Sequence, residues 1–262
     1  MAFVLEERAV VVPGGDRWTG SLAGVLRMGY LAGACVVGAA RVELAFRRGG
    51  RPKAAEKFKQ IAREFCDIFG VRVEISGRLD PEVREVRIAN HTSYLDVLAL
   101  NAAGAGRFLS MKQVRDWPLV GLVAERIGTV FVDRDSTDGR AQGLKALHRA
   151  VAEPEAPVVV FPEGRTSKQG VLPFARGAFS AARSAGLPVR PLVLIYSDRN
   201  EAAWVDQMPL IEHVWKRLCG PEIRCVIRVL DTIDTKASSS SEELAIEAHR
   251  RVARALAAHA PS

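Results

Sequence analysis

Val86-Arg87-Ile88-Ala89-Asn90-His91-Thr92-Ser93-Tyr94-Leu95-Asp96 reads as a short apolar strand, a polar loop and the first turn of a helix that starts near Tyr94. Further strand candidates surround it. Val71, Val73 and Ile75 alternate with polar residues, and Thr129 to Val132, Pro157 to Phe161, Val189 to Ile195 and Ile223 to Val229 are short β-branched runs. Residues 137 to 152 and 176 to 185 read as helices between them. A serine run at Ser238 to Ser241 forms a flexible join, after which Ser240 and Glu243 cap a last helix reaching about Ala258. Strands alternating with helices predict an α/β fold, a central sheet flanked by helices.

Upstream, Leu22 to Ala40 carries a single charge, Arg27, and is diluted by Gly24, Gly29, Gly33 and Gly38. A span needs roughly 20 predominantly apolar residues. The segment predicts an interfacial or shallowly inserted helix, with a true span and a buried core helix as the alternatives. Arg41, Arg47, Arg48, Arg51 and Lys53 follow. Such a cluster is attracted to anionic lipid by about 1 kcal/mol per basic residue, and it also suits a solvated loop. Gly49-Gly50 breaks the chain, and Pro52 opens a new helix. In that helix Phe58, Ile61, Phe65 and Ile68 recur at helical spacing, and Gly70 is a natural stop. The expected organisation is an N-terminal membrane-associating helical segment, residues 1–50, and one catalytic domain, residues 51–262.

With 48% apolar residues, the 262-residue chain can fill a core, so disorder is not expected. A formal charge of +7 favours anionic partners without choosing among them. The basic residues are spread along the chain without an aromatic stacking platform, which argues against nucleic acid. Cys35, Cys66, Cys219 and Cys225 form neither a metal-ligand pattern nor a disulfide framework, and His91, His148, His213 and His249 are far apart, so no metal is expected. Gly104-Ala105-Gly106 lacks the third glycine of a dinucleotide fingerprint, and no Gly-Lys-Ser or Gly-Lys-Thr occurs. The acidic start of the chain does not read as a cleaved signal peptide, and the catalytic part is expected on the cytoplasmic side.

His91 and Asp96 are spaced so that the loop folds the imidazole over the carboxylate. Such a pair fixes one ring nitrogen and prepares the other to take a proton. Alone, the pair is better read as a histidine that caps or satisfies a helix start. Two polar segments at strand ends add weight. Phe131-Val132-Asp133-Arg134 offers Phe131 for an apolar slot and Arg134 for a phosphate. Glu163-Gly164-Arg165-Thr166-Ser167 combines a tight turn with a guanidinium, hydroxyls and backbone N–H groups that suit a phosphate. Ser93 reads as a helix cap rather than a nucleophile, and no Gly-x-Ser-x-Gly elbow is present.

His91-x4-Asp96, the Phe131 to Arg134 strand end and the Glu163-Gly164-Arg165 loop, in this order, resemble the glycerolipid acyltransferase family, which includes bacterial 1-acylglycerol-3-phosphate acyltransferases. Lys112 to Gly121 with Trp117-Pro118, Leu172-Pro173-Phe174 with Gly177-Ala178-Phe179, and Pro188 to Leu194 extend the similarity to about residues 70–200. Trp204, Met208, His213 and Trp215 resemble the branch that acylates lyso-ornithine lipid.

The resemblance implies a mixed sheet and an acyltransferase domain at the cytoplasmic face of the inner membrane, with an anionic membrane surface as partner. His91 is then the general base and Asp96 its orienting partner. Phe131, Arg134, Glu163, Gly164, Arg165, Thr166 and Ser167 fall to substrate binding. The implied donor is acyl-CoA or acyl carrier protein, used as co-substrate rather than cofactor. The implied acceptor is a lysophospholipid, 1-acylglycerol-3-phosphate or alternatively lyso-ornithine lipid. The family's third block usually reads Glu-Gly-Thr-Arg, so Arg165 is displaced by one place. A lipid thioesterase or hydrolase, and a non-catalytic lipid-binding protein, are the competing classes.

Overall fold

A computed structural model describes residues 20–133, 137–205, 208–236 and 240–259. Seven strands form one sheet: β1 (Val71–Ser76), β2 (Val86–Ala89), β3 (Arg107–Met111), β4 (Val130–Val132), β5 (Val158–Val160), β6 (Val189–Tyr196) and β7 (Ile223–Val229). Their order is β1-β7-β6-β2-β5-β3-β4. Every neighbouring pair is parallel except β6 with β7, so the sheet is mixed. The central strands β2 and β5 are buried along their whole length, as parallel strands covered on both faces must be.

Helices cover both faces. They are α1 (Ser21–Phe69), α2 (Leu95–Ala102), α3 (Val120–Arg126), α4 (Thr137–Ala152), α5 (Gly177–Ser184), α6 (Arg199–Ala202), α7 (Leu210–Cys219) and α8 (Ser241–Ala257). Alternation along β5 divides the core. Val159, with Phe161 just beyond the strand, faces residues of α1, α2 and α7, whereas Val158 and Val160 face α4, α5 and α8. The expected strands and the helices at 137–152 and 176–185 are present within a residue or two of their predicted ends. Ser240 caps α8 by accepting the amide of Glu243 at 3.1 Å, and Ser238 and Ser239 of the serine run lie outside the described residues.

α1 is a hairpin of two arms. Gly49 and Gly50 leave helical geometry, Gly50 at a φ of 66°, and Gly70 ends the second arm at a φ of 64° with its N–H on Asp67 O. Arg41 of the first arm makes a bidentate pair with Glu64 of the second, at 2.7 and 2.9 Å. The first arm lies along the domain through its small residues. A Cβ on Gly24 would stand 2.3 Å from Cys219 Sγ, and one on Gly38 would stand 3.3 Å from Ile61. Arg27 donates to Leu218 O at 2.7 Å, so its charge points to the end of α7. The opposite face exposes Leu22, Val25, Leu26, Tyr30, Val36 and Val37. The arm is apolar enough to cross a membrane, with a best window of mean hydropathy 1.6.

Candidate active site

The parallel strands β2, β5, β3 and β4 all end at one edge of the sheet, where open α/β sheets place their ligands. The chain leaves β2 there through Asn90. This buried side chain donates to Leu194 O at 3.0 Å and accepts from Leu194 N at 2.8 Å, so an amide extends the strand pairing by one residue. The next residue, His91, is thereby free to turn out of the sheet.

Asp96, in the first turn of α2, is completely buried. Its Oδ2 accepts from the amides of Thr92 at 2.6 Å and Ser93 at 2.9 Å, and lies 2.8 Å from His91 Nδ1. Its Oδ1 accepts the phenolic O–H of Tyr196 at 2.7 Å. An unpaired buried carboxylate would cost several kcal/mol; four donors and the N-terminus of α2 offset that here. The His91 ring stacks on Phe161, with centroids 4.0 Å apart and planes at 12°. With Nδ1 donating to Asp96, Nε2 is left as the acceptor, and it has no hydrogen-bond partner among the described residues. The His91 side chain is 19% exposed, enough to reach a substrate. Ser93 is buried and its hydroxyl accepts the amide of Leu95, so it is a turn residue and not a nucleophile.

The neighbouring strand β5 supplies the second loop. Gly164, at a φ of 74°, closes a turn with its N–H on Phe161 O at 3.1 Å. Glu163 Oε1 accepts the amide of His91 and Oε2 the amide of Leu172, each at 2.7 Å. Burial pushes the Glu163 carboxyl above the usual carboxylate range, and the two amides partly offset this. Ser167 donates its amide to His91 O at 2.9 Å, and its hydroxyl is spent on Gln169 O at 2.7 Å. The Glu163 carboxylate and the Ser167 hydroxyl therefore serve the two loops rather than standing open to a ligand. Arg165 is exposed and Thr166 half-buried.

Two more side chains complete the site, and sequence reasoning gave neither a role. Arg199, on the short helix α6 that Asp198 caps, donates to the carbonyls of Lys168 at 2.9 Å, Gly170 at 2.8 Å and Ser167 at 3.2 Å. Burial lowers its pKa, and the carboxylates of Asp96 and Glu163 oppose that. Tyr196 ends β6, two residues beyond the Pro188 to Leu194 stretch of similarity, where its position at a strand end was the available signal. On the far side, Trp204 N donates to Thr92 O at 3.1 Å, and Tyr94 packs edge-on against Phe69, Trp204 and His213. Phe131 is half-buried on β4 under Arg115, 5.9 Å from the ring centroid. β4 is three strands from β2, about 14 Å at ordinary strand spacing. Phe131 thus marks the far end of a long edge, and Arg134 lies outside the described residues.

A buried carboxylate that holds one imidazole nitrogen and leaves the other open, with no serine nucleophile beside it, is an arrangement able to take a proton from a hydroxyl or a water. The comparisons name the class of reaction. The family described as Acyltransferase matches residues 70–195. The lyso-ornithine lipid O-acyltransferase of Rhodobacter capsulatus is 33% identical over 188 residues, covering 68% of this chain and 67% of its own. The 1-acyl-sn-glycerol-3-phosphate acyltransferase of Neisseria gonorrhoeae is 36% identical over 116 residues, 43% of this chain and 44% of its own. The crystal structure of the 1-acyl-sn-glycerophosphate acyltransferase of Thermotoga maritima has the same fold, with a TM-score of 0.69 at 19% identity over 90% of this chain and 95% of that one. The chain belongs to the acyltransferase family and is an O-acyltransferase.

Proposed function

We propose that the protein moves a fatty acyl group from acyl-CoA or acyl carrier protein to the free hydroxyl of a lysolipid at the cytoplasmic face of the inner membrane. Residues 1–50 serve as the membrane-associating segment and 51–262 as the catalytic domain. The observation that carries the reading is the Asp96-held His91, 2.8 Å apart, with its other nitrogen open. The acceptor hydroxyl gives its proton to Nε2 and its oxygen attacks the thioester carbonyl. The new C–O bond forms, the C–S bond breaks, and the imidazolium returns its proton to the leaving thiolate. The thioester carrier is a co-substrate and not a resident cofactor, and no covalent acyl-enzyme is needed.

For the acceptor, lyso-ornithine lipid is the preferred reading. Likeness to the Rhodobacter enzyme runs over two thirds of both chains, and Arg165 stands one place away from the family's usual position. The higher identity of the shorter Neisseria match favours 1-acylglycerol-3-phosphate as the second reading. In either case Phe131, Arg134, Arg165 and Thr166 are the acceptor contacts, while Glu163, Gly164 and Ser167 shape the loop that presents them.

The test offers the purified protein both lysolipids, each with acyl-CoA and acyl carrier protein, beside His91→Ala. Acylated lipid is the expected product, falling by about 10² to 10⁴ in rate in the variant. Free fatty acid released equally with and without acceptor would make the enzyme a hydrolase. A folded His91→Ala variant of full activity would remove the base.

A further inference from the structure

The register of β3 places its C-terminal residue, Met111, at the same sheet edge as His91. Phe108 pairs with Val159 of β5, and Ile88 of β2 pairs with Val160 of β5, all running in parallel. Beyond Met111 the chain makes a single 3-10 turn, Lys112–Asp116, and enters α3. Within these ten residues Met111, Trp117, Leu119 and Val120 are 37 to 47% exposed. Single exposed apolar residues are ordinary, but four large ones within ten residues at one sheet edge are a candidate interaction surface.

Two further observations identify what covers it. Leu119 has a φ of 60°, the one positive φ among the described residues other than glycine. A turn alone is made at less strain by glycine or asparagine, so a leucine here presents a large apolar side chain at the cost of strain. The turn is also closely packed: a Cβ on Gly121 would stand 1.9 Å from Arg115 O. Charge decides the partner. Arg115 pairs with Glu125 at 2.5 Å and Lys112 lies 3.9 Å from Asp133, so the local cations already face acids of this chain. An acidic protein would find few free charges, whereas a lipid interface needs only the apolar groups. The patch is also continuous with the α1 hairpin, because α3 packs on it through Val123 and through Arg126, which pairs with Glu43 at 2.7 Å.

We propose that Met111 to Val120 is a second membrane contact, separate from the first arm of α1. It inserts Trp117, Leu119 and Val120 into the bilayer interface at the rim of the catalytic edge. A lysolipid then reaches His91 by sliding along the interface rather than by leaving it. This rests on the lysolipid reading above, and the binding measurement below does not.

The full chain, Leu119→Gly and Trp117→Ser are compared for co-sedimentation with phosphatidylethanolamine–phosphatidylglycerol vesicles. Acylation is measured for a long-chain lysolipid in those vesicles and for a short-chain analogue dissolved as monomer. Leu119→Gly suits its own φ, so the fold survives it, and a thermal melt checks both variants. Vesicle affinity and vesicle-based rate are expected to fall about tenfold, the loss of one buried apolar side chain. Added salt should leave that loss unchanged, and the rate on dissolved acceptor should stay within about twofold, far inside one decade of affinity. Unchanged vesicle affinity overturns the proposal. So does an equal loss on both acceptors, which would make the patch part of the catalytic pocket. A loss seen only with acyl carrier protein as donor, and not with acyl-CoA, would make it a carrier-protein site instead. An enzyme inactive on every acceptor would refute the lysolipid reading, and co-sedimentation would still decide the contact.

Discussion

Glu163 holds His91 by the backbone and not by the ring: its Oε1 takes the His91 amide at 2.7 Å while Oε2 takes that of Leu172. The carboxylate ties the loop after β2 to the loop after β5, leaving it no free oxygen for an acceptor. Glu163→Ala is therefore expected to lower kcat, on the order of 100-fold for a small misplacement of the base, with the acceptor KM little changed. Arg165→Ala should do the reverse, raising KM with kcat kept. Steady-state kinetics on both variants check this, and a Glu163→Ala effect confined to KM would return Glu163 to acceptor binding.

Tyr196→Phe removes the donor to Asp96 Oδ1 in a fully buried site. Leaving that charged oxygen bare should lower unfolding free energy by about 1.5 to 3 kcal/mol, measurable by urea titration. Burial and the neighbouring Asp96 both push the Tyr196 phenol well above its ordinary range, so it remains a donor throughout the working pH. A variant as stable as the parent would show that water replaces the hydroxyl.

His213 is buried, and burial, with Arg217 and Lys216 behind it, pushes its pKa down to about 4. An unfolded histidine titrates near 6.5. Between those values the unfolded chain binds the proton and the native one does not, so stability falls as pH drops from about 6.5 towards 4. The full effect is on the order of 3 kcal/mol. His213→Leu should flatten this part of a stability–pH curve, and a variant that keeps the slope would assign it to other groups.

Much of this was legible in the sequence. The β2 to α2 segment announced both its strand and its helix, because Val86, Ile88 and Ala89 followed by a polar loop and a second apolar run admit few other readings. The two arms of α1 were readable as separate helices, because Gly49-Gly50 and Gly70 sit where a break and a left-handed cap fit, whereas their pairing into a hairpin through Arg41 and Glu64 was not. β3 escaped because Arg107-Phe108-Leu109-Ser110-Met111 begins with a charge, and Arg107 is buried by Glu153 and Glu155, residues more than forty positions away. α7 escaped because its buried members include His213 and Arg217, polar residues whose partners come from Tyr94, Glu201 and backbone carbonyls. In the site, His91 and Asp96 are five residues apart and could be paired by eye. Tyr196 and Arg199 act across a hundred residues or through carbonyl groups, and a linear reading does not reveal such contacts.

Gly24→Leu should free the first arm of α1, since even a Cβ there would meet Cys219 Sγ at 2.3 Å. Limited proteolysis is expected to cut within residues 20–48 in the variant and not in the parent, while the domain core survives. Equal resistance would mean that α7 yields to make room.

The Arg41–Glu64 pair and the Gly38 contact with Ile61 fix the first arm against the second within the folded chain. An arm already held in place surrenders little conformational freedom when it meets a bilayer, so nearly all of its apolar contact counts towards adhesion. If this arm is the membrane-associating segment proposed above, its attachment is an oriented landing prepared at folding.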